Sequence, residues 1–230
     1  MRGRKKNWEW QKPYNPLKWG DVFTEGNGWH YTWSVFHNPR GLISLMGGNK
    51  AFTARLDSVF ALPPVFDDSY YGQVIHEIRE MQIMNMGNYA HGNKPIQHMP
   101  YLYNWSGSPW KTQYWVREVM DRLYSAHPDG YCGDEDNGQT SAWYVFSAMG
   151  FYPVCPASNE YAIGTPLFAK VSLHLENGKT TVITDNNPQW RYIKRLTING
   201  SPDKSNWLTH KTLTSGATIG FEMSEKPVDR

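Results

Sequence analysis

The chain has 230 residues, 40% of them hydrophobic and 19% charged, with a formal net charge of +2. This balance describes a globular chain able to bury a core and argues against intrinsic disorder. It gives no electrostatic reason to expect a nucleic-acid partner, and no apolar run approaches the roughly 20 residues of a membrane span.

The opening stretch, MRGRKKNWEW, carries Arg2, Arg4, Lys5 and Lys6 and is expected to be a solvated tail. It lacks an apolar h-region, so no signal peptide is expected in this chain. Next comes VFTEGNGWHYTW, where Glu25 is the lone acid among Phe23, Trp29, Tyr31 and Trp33, and Gly26 and Gly28 permit a sharp bend. Phe52, Leu56, Val59 and Phe60 recur at helical spacing until Pro63-Pro64 ends the segment, and Val74, Ile78 and Met81 form a second stripe. Pro100 is expected to kink a helix. Ser108-Pro109 predicts a helix start, with Ser108 as N-cap, and Val116, Val119, Met120 and Leu123 predict its buried face. Ala142, Val145, Phe146 and Met149 predict the buried face of a last helix, closed by Gly150.

Near Pro153 the period changes. Val171, Leu173 and Leu175 alternate with polar residues, Asn177-Gly178 predicts a type I′ hairpin turn, and the β-branched run 180–184 predicts the return strand. Leu196 and Ile198 before Asn199-Gly200 predict another strand. The expected class is therefore mainly α followed by β, with helices over residues 1–155 and strands over 156–230. Cys132 and Cys155 flank the last helix and could form one bridge, but free thiols are the expected state.

Aromatic residues make up 15% of the chain, including 11 Trp and 14 Tyr, a composition suited to stacking on sugar rings. Glu25, if walled by its aromatic neighbours, would lose hydration, hold its proton near neutral pH and serve as a general acid. The plainer reading is a glutamate on a wet loop. In GDEDNGQTSAW, an extended backbone would put Asp134 and Asp136 on one side and Glu135 on the other. Asp136 would stand near a helix N-terminus that favours its ionised form, and two such carboxylates could take a proton from a shared water. A solvated acidic cap is the alternative; a calcium loop fails for want of a Glu at its last position. HEIRE has Glu80 where a zinc HExxH motif needs its second histidine, leaving His76 and Glu77 as a donor and an acceptor for a polar ligand.

Taken together, TEGNGWHYTW, GLISLMGG, HEIREM, YLYNWSGSPWKTQYWVR and GDEDNGQTSAWYVFSAMGFYPV closely resemble the α-mannosidases of glycoside hydrolase family 92. The motifs follow the family's order across most of the chain. The resemblance implies part of an (α/α)6-barrel catalytic domain with a C-terminal β segment, and a preceding β-sandwich that this chain lacks. It implies calcium-dependent, inverting, exo-acting hydrolysis of a mannose-containing glycan by a periplasmic or secreted enzyme, with neither nucleic acid nor membrane as partner. By the same resemblance Glu25 is the general acid, Asp134 and Asp136 the base pair, and His76 and Glu77 contact the leaving sugar with an α-1,2 preference. Trp29 joins them in substrate binding, and Glu80 and Asn93 are the expected Ca2+ ligands. Two departures stand out. Lys94 replaces the family's usual acid or amide beside the cation site, and about six helices are visible where the barrel needs twelve, so the chain is expected to begin in mid-domain. A sugar-binding module without turnover and a purely structural fragment are the rival readings.

Overall fold

Helices form where the apolar spacing predicts them, and strands follow. The computed structural model describes residues 1–228. In chain order it contains α1 (Gly28–Tyr31), α2 (Pro39–Leu45), α3 (Asn49–Ala61), α4 (His76–Met84), 3-10 turns at Lys94–Ile96 and Met99–Asn104, α5 (Pro109–Leu123) and α6 (Gln139–Met149). The second part holds β1 (Phe151–Tyr152), β2 (Glu160–Ile163), β3 (Lys170–His174), β4 (Thr180–Asp185), β5 (Tyr192–Ile198), β6 (Ser201–Asp203), β7 (Trp207–Thr209), α7 (His210–Thr214) and β8 (Thr218–Ser224). No helix among the described residues is long and apolar enough to cross a membrane.

The faces of α3 and α5 are as expected: Phe52, Leu56, Val59 and Phe60, then Val116, Val119, Met120 and Leu123, are all buried. Ile78 and Met81 of α4 are buried too, whereas Val74 precedes that helix. Ser108 occupies the N-cap position of α5 but makes no side-chain capping bond. The predicted face of α6 is right only in part: Phe146 and Met149 are half-buried against apolar residues of the sheets, but Ala142 is exposed. Thr140, Trp143, Ser147 and Ala148 point inward, while Val145 is exposed. Trp143 dominates the choice, being fully buried with its Nε1 donating to the Gln97 carbonyl at 2.9 Å. The inward hydroxyls are paired and so cost little to bury: Thr140 Oγ1 with Gln97, and Ser147 Oγ with the Tyr101 hydroxyl. Pro100 kinks nothing, because it lies in the first turn of a 3-10 segment, where a missing N–H leaves no bond unmade.

The strands form two sheets, β1-β2-β7 and β3-β4-β8-β5-β6. All pairs are antiparallel except β4 with β8, where Val182 stands opposite Thr218. The β3–β4 hairpin does not use the predicted type I′ turn. Gly178 N–H closes on the Leu175 carbonyl, and only Gly178, not Asn177, has positive φ. This is the longer loop with a glycine bulge. The two-residue type I′ geometry belongs to the other Asn-Gly pair, with Asn199 at φ 51° and Gly200 at φ 80°, joining β5 to β6. A bulge between Ile193 and Arg195 puts Lys194 and Arg195 both within 2.7 Å of Glu222.

One apolar cluster lies under the helices and a second between the sheets. Helix α5 ties them together. Gln113 accepts from the Ile193 N–H of β5, and buried Arg117 donates to the carbonyls of Pro166 and Pro188. Both cysteines are free, as expected, and half-buried; burial raises the Cys132 thiol to about 12.

Candidate active site

The segment Gly92-Asn93-Lys94 brings the two acidic motifs together. Asn93 is buried, and its Nδ2 donates to the Glu25 carbonyl at 2.5 Å. The Lys94 ammonium lies 2.7 Å from Asp136 Oδ1. Its pKa is raised, first by that hydrogen bond and, against some desolvation, by the charges of Asp136, Glu25 and Asp134.

Glu25 sits at φ 47°, the tight bend that the flanking glycine allows. Its N–H donates to the Tyr71 hydroxyl at 3.3 Å, and the Tyr31 hydroxyl donates to the Thr24 carbonyl at 2.7 Å while the Tyr31 ring stacks on Phe23. Burial and the Glu25 charge raise the pKa of both tyrosines. The aromatic wall expected around Glu25 is largely absent. Its side chain is exposed, Trp33 belongs to the core, and Trp29 packs against that core with the Arg55 guanidinium 5.1 Å above its ring.

The acidic triplet is not an extended strand. Asp136, Asn137 and Gly138 all have positive φ, so the chain coils into α6. The helix start is served by Glu135 rather than Asp136: Glu135 Oε2 accepts from Gly138 N–H at 2.7 Å and Oε1 from the Ser141 hydroxyl at 2.6 Å. Those bonds lower its pKa. Glu135 thus turns to the helix, Asp136 turns to Lys94, and Asp134 is exposed.

Helix α4 opens with His76, exposed, and Glu77, buried. His76 Nδ1 lies 3.0 Å from Glu80 Oε1 and Nε2 lies 3.5 Å from Glu77 Oε1. The His76 pKa rises through its bond to Glu80, aided by the charges of Glu77, Glu80 and Asp134. Burial raises Glu80, partly offset by His76. The second oxygens of Glu77 and Glu80 are buried and, among the described residues, have no hydrogen-bond partner. Glu80 Oε2 lies against the backbone of Gly92 and Gly133, where a methyl added to Gly133 would meet it at 2.5 Å. Hard, unpaired carboxylate oxygens of this kind suit Ca2+. Asn93 spends its amide nitrogen on Glu25 and so has only its side-chain oxygen for such an ion. No cluster of three or more His, Cys, Asp or Glu able to hold a metal is found among the described residues.

A buried polar floor lies beneath these groups, and no motif announces it. Thr140 Oγ1 donates to the Asp134 carbonyl at 2.8 Å and accepts from Gln97 Nε2, which also donates to the His91 carbonyl. His91 bridges the Tyr89 and Tyr124 hydroxyls at 2.6 and 2.7 Å, and burial lowers its pKa to about 3, leaving it neutral. Tyr124 donates onward to the Thr140 carbonyl, so it accepts from His91 Nε2, and His91 Nδ1 accepts from Tyr89. Beside the floor, Tyr31, Ser34, Phe36, Lys94, His98 and Gln139 line part of a cavity of about 600 Å³.

The chain matches the Glycosyl hydrolase family 92 catalytic domain over residues 1–225. It is 53% identical to a family GH92 inverting mannosidase of known structure from Bacteroides thetaiotaomicron VPI-5482, covering 99% of this chain and 31% of that one with a TM-score of 0.84. A GH92 alpha-mannosidase of Bacteroides thetaiotaomicron is 38% identical, with 100% and 29% covered and a TM-score of 0.86. An uncharacterized secreted glycosidase of Arthroderma benhamiae is 27% identical over 207 residues, 88% of this chain and 24% of that protein. The chain therefore spans less than a third of the length of these relatives. It belongs to glycoside hydrolase family 92.

Proposed function

From that membership we propose that the chain is the C-terminal catalytic part of an exo-acting, inverting α-mannosidase directed at α-1,2-linked mannose in glycans. The observation that carries the reading is the Asn93-Lys94 pair, whose Asn93 bonds the Glu25 carbonyl while Lys94 pairs with Asp136, holding the loops of a candidate acid and a candidate base together. In this mechanism Glu25 protonates the leaving oxygen while Asp134 and Asp136 take the proton of the water that attacks from the opposite face. His76 and Glu77 bind the leaving sugar through the paired donor and acceptor they present at the start of α4, and Trp29 contributes an apolar edge. Glu80 and Asn93 would hold Ca2+, and the unpartnered Glu80 oxygen supports this. Bound there, the ion would supply positive charge for sugar hydroxyls.

The same proposal divides the chain near residue 155 into a portion of an (α/α)6 barrel and a β segment. It places the protein in the periplasm or outside the cell, in keeping with the secreted relative. The relatives' greater length supports a further upstream region, of β-sandwich type in this proposal. A sugar-binding role without turnover is the second reading, and the exposure of Glu25 favours it. Mannose release from α-1,2-mannobiose, measured for the parent and for Glu25→Gln and Asp134→Asn, decides between them. Binding without release in the parent refutes the hydrolase.

A further inference from the structure

Lys94 has no part in the hydrolytic scheme above, yet its side chain and backbone are both engaged. The ammonium pairs with Asp136 Oδ1 at 2.7 Å, and the carbonyl accepts from Gln139 Nε2 at 3.3 Å in the first turn of α6. The residue before it, Asn93, donates to the Glu25 carbonyl. One dipeptide thus touches the loop of the candidate acid and the loop of the candidate base.

Asp136 needs such a partner. It stands at φ 55° and is followed by Asn137 at φ 57°, and consecutive left-handed residues other than glycine persist only where the surroundings over-determine them. Glu135 holds one side of this turn through Gly138 N–H and the Ser141 hydroxyl. On the other side Lys94 grips the Asp136 carboxylate itself. The Lys94 side chain is 45% exposed and that of Asp136 16%, and a pair so open to water contributes little to stability. Orientation is what it can provide, because a carboxylate that must reach a water molecule loses rate steeply when misaimed.

We propose that Lys94 is a positioning residue for the hydrolysis: its ammonium fixes the Asp136 carboxylate, and with Asn93 it sets the spacing between the Asp136 and Glu25 loops. This rests on the hydrolase reading of the preceding section.

The test is a double-mutant cycle in the full-length polypeptide, with an activated aryl α-mannoside as substrate. Lys94→Met should lower kcat roughly 10- to 100-fold, with KM changed by less than about 2-fold. In an Asp136→Asn background the same change should cost nothing further, since Lys94 acts through that carboxylate. Lys94→Arg should recover part of the loss. Lys94→Gln takes the place of the methionine variant if that one is insoluble. Full activity in both Lys94→Met and Lys94→Gln overturns the inference, as does a loss that simply adds to that of Asp136→Asn, or a raised KM at unchanged kcat. If Asp136→Asn is itself fully active, the base assignment fails first and the inference falls with it, a result distinct from the others.

Discussion

Acidification should loosen the Glu25 loop through His30, two residues along α1 from Gly28. His30 is buried, its Nε2 is 2.9 Å from the Asn88 carbonyl, and its ring meets Trp19 edge-on at 4.8 Å. Facing a carbonyl, Nε2 must be the donor, so the bare lone pair is on Nδ1, which is buried without a partner among the described residues. Burial accordingly lowers the His30 pKa to about 4, against an ordinary value of about 6.5. The unfolded chain therefore binds the proton more readily than the folded one. The stability that His30 contributes is complete above about pH 6.5 and is lost as the pH falls towards about 4. Between about pH 7.5 and about pH 5 the loss from this one residue is roughly 2 kcal/mol, a large share of a typical stability. His98 and His91 are lowered by burial as well and act in the same direction, whereas raised groups such as His76 and Glu80 oppose it. His30→Gln isolates the term, because its amide can still donate to Asn88 but cannot be protonated. Urea unfolding of parent and variant across this pH range should show the variant weaker at neutral pH yet roughly 2 kcal/mol less sensitive to acid. Equal pH slopes for the two proteins would refute the reasoning.

Gly133→Ala should destabilise the site by about 2–4 kcal/mol, seen as a lower urea midpoint, since its methyl would meet Glu80 Oε2 at 2.5 Å and Gly92 Cα at 2.6 Å. Chelation should abolish mannose release, and added Ca2+ should restore it; full activity after exhaustive chelation would remove Glu80 and Asn93 from metal binding. His76→Ala should damage α-1,2-mannobiose hydrolysis about 10-fold more than hydrolysis of an aryl mannoside, whose leaving group makes few of those hydrogen bonds. Equal losses on both substrates would take His76 out of the leaving-sugar site. Asn199→Val should cost about 1–2 kcal/mol in thermal or urea unfolding, because a β-branched residue does not tolerate φ 51° in a two-residue turn, while Asn177→Val should cost less.

The difference between those two Asn-Gly pairs shows where sequence reasoning stops. Both dipeptides announce a turn, but turn type depends on which partner residues the sheet brings opposite each other. His174 pairs with Thr180, leaving five residues between the strands; Ile198 pairs with Ser201, leaving two. That register is fixed by burial across β4, β5 and β8, far from either turn. Helix α6 teaches the same lesson. Val145 is apolar and exposed, yet Thr140 and Ser147 face inward beside Trp143, because Gln97 and Tyr101 supply partners that only the folded chain assembles. In α3, where one apolar stripe has no polar competitor, spacing alone was enough, and in α5 the apolar stripe was legible although Thr112, Gln113 and Arg117 are buried beside it.

At the site, residue type was legible and orientation was not. Three consecutive acids were recognisable as chemistry, but their division of labour comes from the left-handed turn at Asp136, which sends Glu135 to the helix and Asp136 to a lysine 42 positions earlier in the chain. A cation at position 94 looked, in sequence, like an intruder beside a calcium site. In the folded chain it pairs with Asp136, and among the described residues the buried carboxylate oxygens without partners near the site belong instead to Glu77 and Glu80 on α4, the preceding helix. The ammonium takes Asp136, so under the proposed calcium binding the two positive charges need not compete for one set of ligands, and the Glu80 oxygen would serve the ion. On this geometry removing the lysine should impair catalysis without strengthening calcium binding, which isothermal titration of Lys94→Met with Ca2+ can measure. A marked gain in calcium affinity would mean that lysine and ion contend for the same oxygens, and the separation argued from the structure would be wrong.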